Sequence, residues 1–429
     1  MSGYTEIIVF TRYPQAGKAK TRLIPALGPE GAAALQRRMT QHTLGRASAY
    51  CMGNRDARLT VVHEGGDAGK MREWLGPLTF MPQGGGDLGG RLQRAALRAF
   101  AAGADRVLII GTDCPLLDEE TLSDAIAAIR SHGIVFGPAG DGGYYLVGLS
   151  DKSQVRLSSN IPWSTASVLA ASLKAARDAG HEPALLATLP DVDEWPDLPS
   201  AMLALDAAGR ISVIIPALNE ARNLARLLPR LNEQAPYEII VADGGSSDGT
   251  AAVANAHRAR YLPTPRGRAA QMNAAAAAAT GEFLLFLHAD TDPPEHFCDV
   301  IRRTLQVPGT AAGAFAFRLR EPVPGGSLIE KGVALRCRLC SLPYGDQGLF
   351  LRRSLFTARH RFPGWPILED VEFIRRLRKL GRIVTTPEAS LTSSRRWQKD
   401  GFLRTLLRHQ LILAGYALGI SPQRLAEWR

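Results

Sequence analysis

Short apolar runs recur along this chain, several of them ending at or near a carboxylate. "EIIVF" (6–10) and "VLIIGTD" (107–113) lie in the first half; "SVIIP" (212–216), "EIIVAD" (238–243) and "FLLFLHADTD" (283–292) lie in the second. An unbroken apolar run marks a strand covered on both faces, as in a parallel sheet. Between the runs stand amphipathic stretches such as "ARNLARLL" (221–228), read as helices. Strand and helix alternate throughout, so the pattern predicts an α/β protein with largely parallel sheets. With 429 residues the chain is too long for one ordinary domain. A break at "DAAGR" (206–210), directly before an opening strand, predicts domains at 1–209 and 210–429. Each half has an early strand and a later one ending on Asp, which predicts related architectures.

Open α/β sheets bind ligands at the carboxyl ends of their strands. Asp290 and Asp292 fall there, one residue apart, before two prolines. An Asp before Pro-Pro is a fair helix cap, which accounts for one of them. Two like charges at a strand end are better explained by a cation between them, and hard carboxylate oxygens suit Mg²⁺ or Mn²⁺. The expectation is a metal-phosphate site.

Charge sharpens the division. Residues 1–209 hold 20 Lys+Arg against 22 Asp+Glu, a net of −2, and residues 210–429 hold 31 against 19, a net of +12. An anionic nucleotide or an acidic membrane surface fits the basic half. Nucleic acid is not expected, because no helix-turn-helix, zinc or RNP-type motif occurs. The N-terminus carries no basic stretch followed by a long apolar run, and five cysteines argue for a reducing cytoplasm. Cys337 and Cys340 form a CxxC inside a helical stretch and read as ordinary helix residues.

In the second half "SVIIPALNE", "VADGGSSDGT", "RGRAAQMNAAAAAATGEFLLFLHADTD", "YGDQGLFLRR" and "ILEDVEFIRRLRKLG" follow one another across 211–400. Together they resemble a family-2 glycosyltransferase of the GT-A fold, with wording closest to a bacterial subgroup associated with arsenosugar biosynthesis. The resemblance implies two Rossmann-like GT-A domains if the first half is related. It also implies a nucleotide-sugar donor and a hydroxyl acceptor. Pro216, Asn219 and Glu220 would line the nucleoside pocket, and Asp243 would accept a hydrogen bond from the base. Asp290 would lie by the ribose and metal, and Asp292 would bind the metal. Arg266 and Arg268 would hold phosphates. Asp370 would act as general base in an inverting displacement, with Glu369 as its rival. Arg396 and Trp397 would sit beside the diphosphate or acceptor. The plainer reading of Glu369-Asp370 is an acidic helix start, and of Trp397 a core residue. Arg404 and Arg408 flank an apolar run that reads first as a packed, domain-closing helix and second as a peripheral membrane contact.

In the first half "FTRYPQAGKAKTRL" sets Lys18, Lys20 and Arg22 in a loop after the first strand, a phosphate clamp or a solvated basic surface. With "GTDCPLL", "GPAGDGGYYLVGL", "IPWST" and "LPDVDEWPDLPSA" it resembles a GT-A-like group related to nucleotidyltransferases of molybdopterin and deazaflavin cofactor synthesis. That resemblance implies an NTP, a phosphorylated substrate and a metal shared by Asp113 and Asp193. The glycine-rich start of nucleotidyltransferases is missing. A second glycosyltransferase and a non-catalytic nucleotide-binding module are the other readings of this half.

Overall fold

The computed structural model describes residues 3–151, 161–358, 360–395, 398 and 402–428, with the side chains of 207, 357, 358, 402, 403, 406 and 409 left aside. Two compact units divide the chain: Met1–Ala208 with Gln306–Gly309, and Gly209–Leu305 with Thr310–Arg429.

The first unit is built on strands β1 (Tyr4–Arg12), β2 (Ala57–Glu64), β3 (Thr79–Pro82), β4 (Ala104–Ile110), β5 (Ile134–Pro138), β6 (Tyr144–Ser150) and β7 (Ala184–Leu185). They form one sheet in the order β3-β2-β1-β4-β6-β5-β7. All pairs through β4 are parallel, and β6 runs antiparallel to both neighbours. Along β1, Ile7 and Val9 enter one apolar core while Ile8 and Phe10 enter another. That alternation is why the run is apolar at every position: helices cover both faces.

The second unit repeats the plan with β8 (Ile211–Ala217), β9 (Glu238–Asp243), β10 (Arg260–Pro263), β11 (Phe283–Phe286), β12 (Thr291–Asp292), β13 (Thr310–Leu319), β14 (Leu349–Arg352) and β15 (Arg382–Thr392). Their order is β10-β9-β8-β11-β14-β13-β15-β12. Here β14 takes the antiparallel place of β6. The expected fold class holds: two mostly parallel α/β sheets of Rossmann-like plan.

One face of the second sheet buries Val213, Ile215 and Leu285 against Leu224, Leu227, Leu228 and Leu231 of the helix Ala221–Glu233. The other face turns Phe286 into an aromatic cluster with Phe356, Phe362 and Phe373, its ring centroid 4.9 Å from that of Phe362. Phe362 and Phe373 lie 4.2 Å apart. Such ring pairs add energy beyond area burial and fix orientation. Phe373 belongs to the helix Glu369–Leu377, so the cluster anchors the element that carries Glu369 and Asp370.

The run "FLLFLHADTD" departs from the single strand expected of it. β11 stops at Phe286, a turn follows, and Thr291–Asp292 pairs as β12 with β15 at the edge of the sheet. Asp290 and Asp292 therefore do not share a strand end.

Candidate functional site

Three loops meet at the carboxyl ends of β8, β9 and β11, and short hydrogen bonds tie the first two together. Asn219, in the left-handed region at φ 58, accepts from the Ser247 N–H at 2.9 Å, and its own N–H donates to Ser246 Oγ at 2.7 Å. The Glu220 N–H donates to Thr250 Oγ1 at 3.1 Å, and Asp248 accepts from the Ala221 N–H at 3.0 Å. Gln271, buried on the helix Arg268–Ala278, donates to the Ala217 and Ala242 carbonyls at 2.7 and 2.9 Å. The sequence folds this way because Asn tolerates positive φ and Ser and Thr hydroxyls satisfy loop amides.

Asp243 differs from its expected role. It is 2% exposed, and its oxygens accept from the Ser246 hydroxyl, from the Ser246 N–H at 2.9 Å, the Gly245 N–H at 3.2 Å and the Tyr261 hydroxyl at 3.0 Å. Burial alone would raise its pKa, yet these donors hold it below the ordinary carboxylate value. Asp243 shapes the Gly-Ser loop through these bonds. Pro216 and Glu220 are half-buried beside that loop, and Arg266 is exposed.

Asp292 also departs from expectation, and more sharply. At 2% exposure, its Oδ1 is paired with Arg226, and its Oδ2 with Arg320 Nε at 3.0 Å and Arg230 Nη1 at 3.3 Å. Arg320 donates onward to the Asp290 carbonyl at 2.5 Å and the Leu391 carbonyl at 3.2 Å. Both oxygens of Asp292 are thus engaged by arginines, and the group fastens β12 to β15.

Asp290, half-buried, stays at the cleft. Its negative charge is felt at Glu220, whose carboxyl is pushed up by burial and by Asp290, against the Asn223 hydrogen bond at 2.5 Å. It is felt again at Asp346 in the turn Gly345–Gln347. Asp346 Oδ1 is sealed from solvent without a hydrogen-bond partner. Burial, then the charges of Asp370 and Asp290, raise its pKa to about 6 in spite of Arg336 and Arg268. In the sequence, "YGDQG" shows only an acid between glycine and glutamine, and its burial is not visible there.

Asp370 accepts from the Gly345 N–H at 2.7 Å and, through its other oxygen, from the Val371 N–H at 2.8 Å. His288 reaches the same point: a Cβ built on Gly345 would stand 3.0 Å from His288 Nε2 and 3.3 Å from Asp370 Oδ2. Glu369, by contrast, is 3% exposed and paired with Arg268 at 3.3 Å. Arg395 donates to Asn223 Oδ1 at 2.8 Å on the Glu220 side. Arg396 and Trp397 lie outside the described residues.

The raised Asp346 pKa has a sign that can be tested. A carboxyl whose folded pKa lies near 6 against an ordinary 3.8 holds its proton in the native state while the unfolded chain has released it. Its contribution to stability is therefore present at low pH and lost as pH rises through about 6. In chelator, Asp346→Asn is expected to be more stable than the parent near pH 7, by about 2–3 kcal/mol at one pKa unit per ~1.4 kcal/mol. Melting curves between these pH values check it. Parallel pH profiles for parent and variant would remove Asp346 as the titrating group.

The first unit has its own convergence. Lys20, at φ 46, donates to the Val192 carbonyl at 2.5 Å and to Asp193 Oδ1 at 3.2 Å, and pairs with Asp113 Oδ1 at 2.9 Å. Burial alone would lower its pKa, and the two carboxylates outweigh that and raise it. Arg22 adds a pair to Asp193 Oδ2 at 3.2 Å. Asp113 and Asp193 do come together, but the ammonium of Lys20 stands where a shared metal was expected. Lys20 is correspondingly engaged by two carboxylates and a carbonyl, while Lys18 is exposed. Among the described residues, one group of three carboxylates has oxygens within 4.8 Å of one another: Asp141, Asp191 and Asp193.

Comparison with known proteins fits this geometry. Residues 212–330 match the family model described as Glycosyl transferase family 2, and residues 48–165 match that of an uncharacterized protein conserved in bacteria, DUF2064. The glycosyl transferase family 2 match thus falls mostly on the unit that holds this cleft. Among curated relatives, a PGL/p-HBAD biosynthesis glycosyltransferase of Mycobacterium tuberculosis is 37% identical over 35% of this chain and 62% of its own length. Glycosyltransferase AglE of Haloferax volcanii is 29% identical over 28% of this chain and 43% of its own. The chain therefore spans less than two thirds of these relatives. A solved structure of a putative nucleotide-diphospho-sugar transferase from Desulfovibrio desulfuricans G20 is 34% identical, covering 45% of this chain and 83% of that one, at a TM-score of 0.42.

Proposed function

We propose that the second unit transfers a sugar from a nucleoside-diphosphate donor to a hydroxyl acceptor, with inversion at the anomeric carbon. A divalent cation, Mg²⁺ or Mn²⁺, would be held by Asp290 and Asp346. The observation that carries this reading is the sealed, unpartnered Oδ1 of Asp346 facing the charges of Asp290 and Asp370. A half-buried acid with one sealed oxygen in such company fits a cation, because without one the charges repel at close range. When bound, that cation would neutralise the diphosphate leaving group.

The chain's own residues supply the rest. Asp370 takes the acceptor hydroxyl's proton. Its two oxygens are each fixed by one backbone N–H, which orients the remaining lone pairs. Glu369 serves as the buried counter-charge that steadies Arg268, and Arg268 with exposed Arg266 holds phosphate oxygens. Pro216, Asn219 and Glu220 line the nucleoside side, and base recognition falls to the loop that Asp243 shapes. For the first unit the corresponding reading is nucleotidyl transfer, with a cation held by Asp141 and Asp191 beside Asp193, because Lys20 pairs with Asp113 and both Lys20 and Arg22 pair with Asp193.

A thermal-shift panel tests the donor site: UDP, GDP, CDP, ADP and dTDP with the full chain, each with and without Mn²⁺. One diphosphate should raise the melting temperature in a Mn²⁺-dependent way, worth about 2.7 kcal/mol at a hundredfold excess over Kd. Asp290→Asn should abolish that increment. A flat response to every nucleotide would end the transferase reading.

A further inference from the structure

The second unit turns leucines outward on a helix whose inner side supports the site. On Gly326–Cys340, Leu328, Leu335 and Leu339 are 62%, 57% and 72% exposed. At 3.6 residues per turn they fall within about 40° of one another, one stripe along the helix. Lys331 and Arg338 are exposed beside them, and no acidic residue is exposed on this helix. The other flank and the far side are committed to the protein. Arg336 donates to the Leu342 carbonyl at 3.0 Å and to Gln347 Oε1 at 3.1 Å, and its guanidinium lies 3.5 Å from the Tyr344 ring centroid. Cys337 is buried against Gln347.

The arrangement is repeated on Phe402–Ala417. Leu407 and Leu411 are 55% and 61% exposed one turn apart, Ala414 follows on the same side, and Arg404 is exposed at their flank. Single exposed leucines are ordinary, but leucines lined up along one helix face make a patch of the kind that marks docking surfaces. The basic flanks select an anionic one. No helix among the described residues is long and apolar enough to cross a membrane, so such a stripe would lie in the interface plane.

We infer that the leucine stripe of Gly326–Cys340, with Lys331 and Arg338 beside it, docks the second unit onto an anionic phospholipid surface. Leucine side chains enter the acyl boundary while the two cations meet lipid phosphates, each adding to the attraction. The helix Phe402–Ala417 supplies a second contact of the same kind. This surface goes beyond the transfer reaction and does not depend on it, because none of its exposed residues belongs to the cleft.

The test is co-sedimentation of the full chain with vesicles of phosphatidylcholine alone or with added phosphatidylglycerol. Binding is expected to the anionic vesicles and to weaken with salt. Leu335→Glu/Leu339→Glu is expected to lower the bound fraction by about tenfold or more, and Lys331→Glu/Arg338→Glu comparably. Both pairs replace exposed side chains, and an unchanged melting curve verifies that folding survives. No sedimentation with either vesicle would overturn the inference, as would equal binding to neutral and anionic vesicles. Binding untouched by the leucine pair overturns it too. So does a concentration-dependent dimer that the leucine pair dissolves while vesicles bind nothing, which would make a second copy the occupant.

Discussion

Asp370→Asn is expected to lower the turnover of sugar transfer by about 10²–10⁴-fold, the usual worth of a positioned general base. Both oxygens of Asp370 accept a backbone N–H, from Gly345 and Val371, so the carboxylate is held in one orientation before any acceptor arrives. Asparagine preserves the volume and can keep one of these bonds, while losing the basic lone pair. The expected signature is therefore a fall in kcat with the Mn²⁺-dependent diphosphate shift retained. Glu369→Gln should behave differently. It removes the counter-charge from Arg268, so its effect belongs in KM for the donor. If Asp370→Asn kept kcat within severalfold of the parent, the base would have to be sought elsewhere, with His288 near Gly345 the next group to test.

The division between what was readable in the chain and what was not follows the range of the interactions. Strand runs such as "EIIVF" and "SVIIP" announce themselves because a strand covered on both faces is apolar at every position. The two halves' common plan followed from the same runs, and the sheets repeat it strand for strand through β4 and β11. The loops that deliver Asn219, Glu220, Asp290 and Asp370 to one cleft were legible as strand and helix ends. The partners of the charged groups were not. Arg226 and Arg230 sit one turn apart on the helix after β8, and Arg320 follows β13, so no local spacing links them to Asp292. Lys20 reads as a phosphate ligand until Asp113 and Asp193, remote in sequence, close on its ammonium. Asp346 escaped for the converse reason. Its chemistry comes from burial beside two other acids, which "YGDQG" does not encode locally.

Asp292→Ala provides the second large effect and separates two roles for the same residue. As a metal ligand, Asp292 would be dispensable to folding in chelator, and its loss would appear only as lost cation binding. The structure instead buries its carboxylate at 2% exposure among Arg226, Arg230 and Arg320. Deleting it leaves partly buried guanidiniums uncompensated and frees Arg320, which holds the Asp290 and Leu391 carbonyls. Breaking a buried pair from one side costs about 3–5 kcal/mol, because the remaining charge keeps its desolvation penalty. The more exposed Arg230 should soften that figure without reversing it. Urea unfolding in chelator is the measurement, followed by a probe of the second unit since a two-unit chain need not melt in one step. A midpoint shift of this size, with Mn²⁺ binding still present in the folded fraction of Asp292→Asn, assigns the residue to the scaffold. An unchanged midpoint together with abolished Mn²⁺ binding would return Asp292 to the metal and require the arginines to move aside when the cation enters.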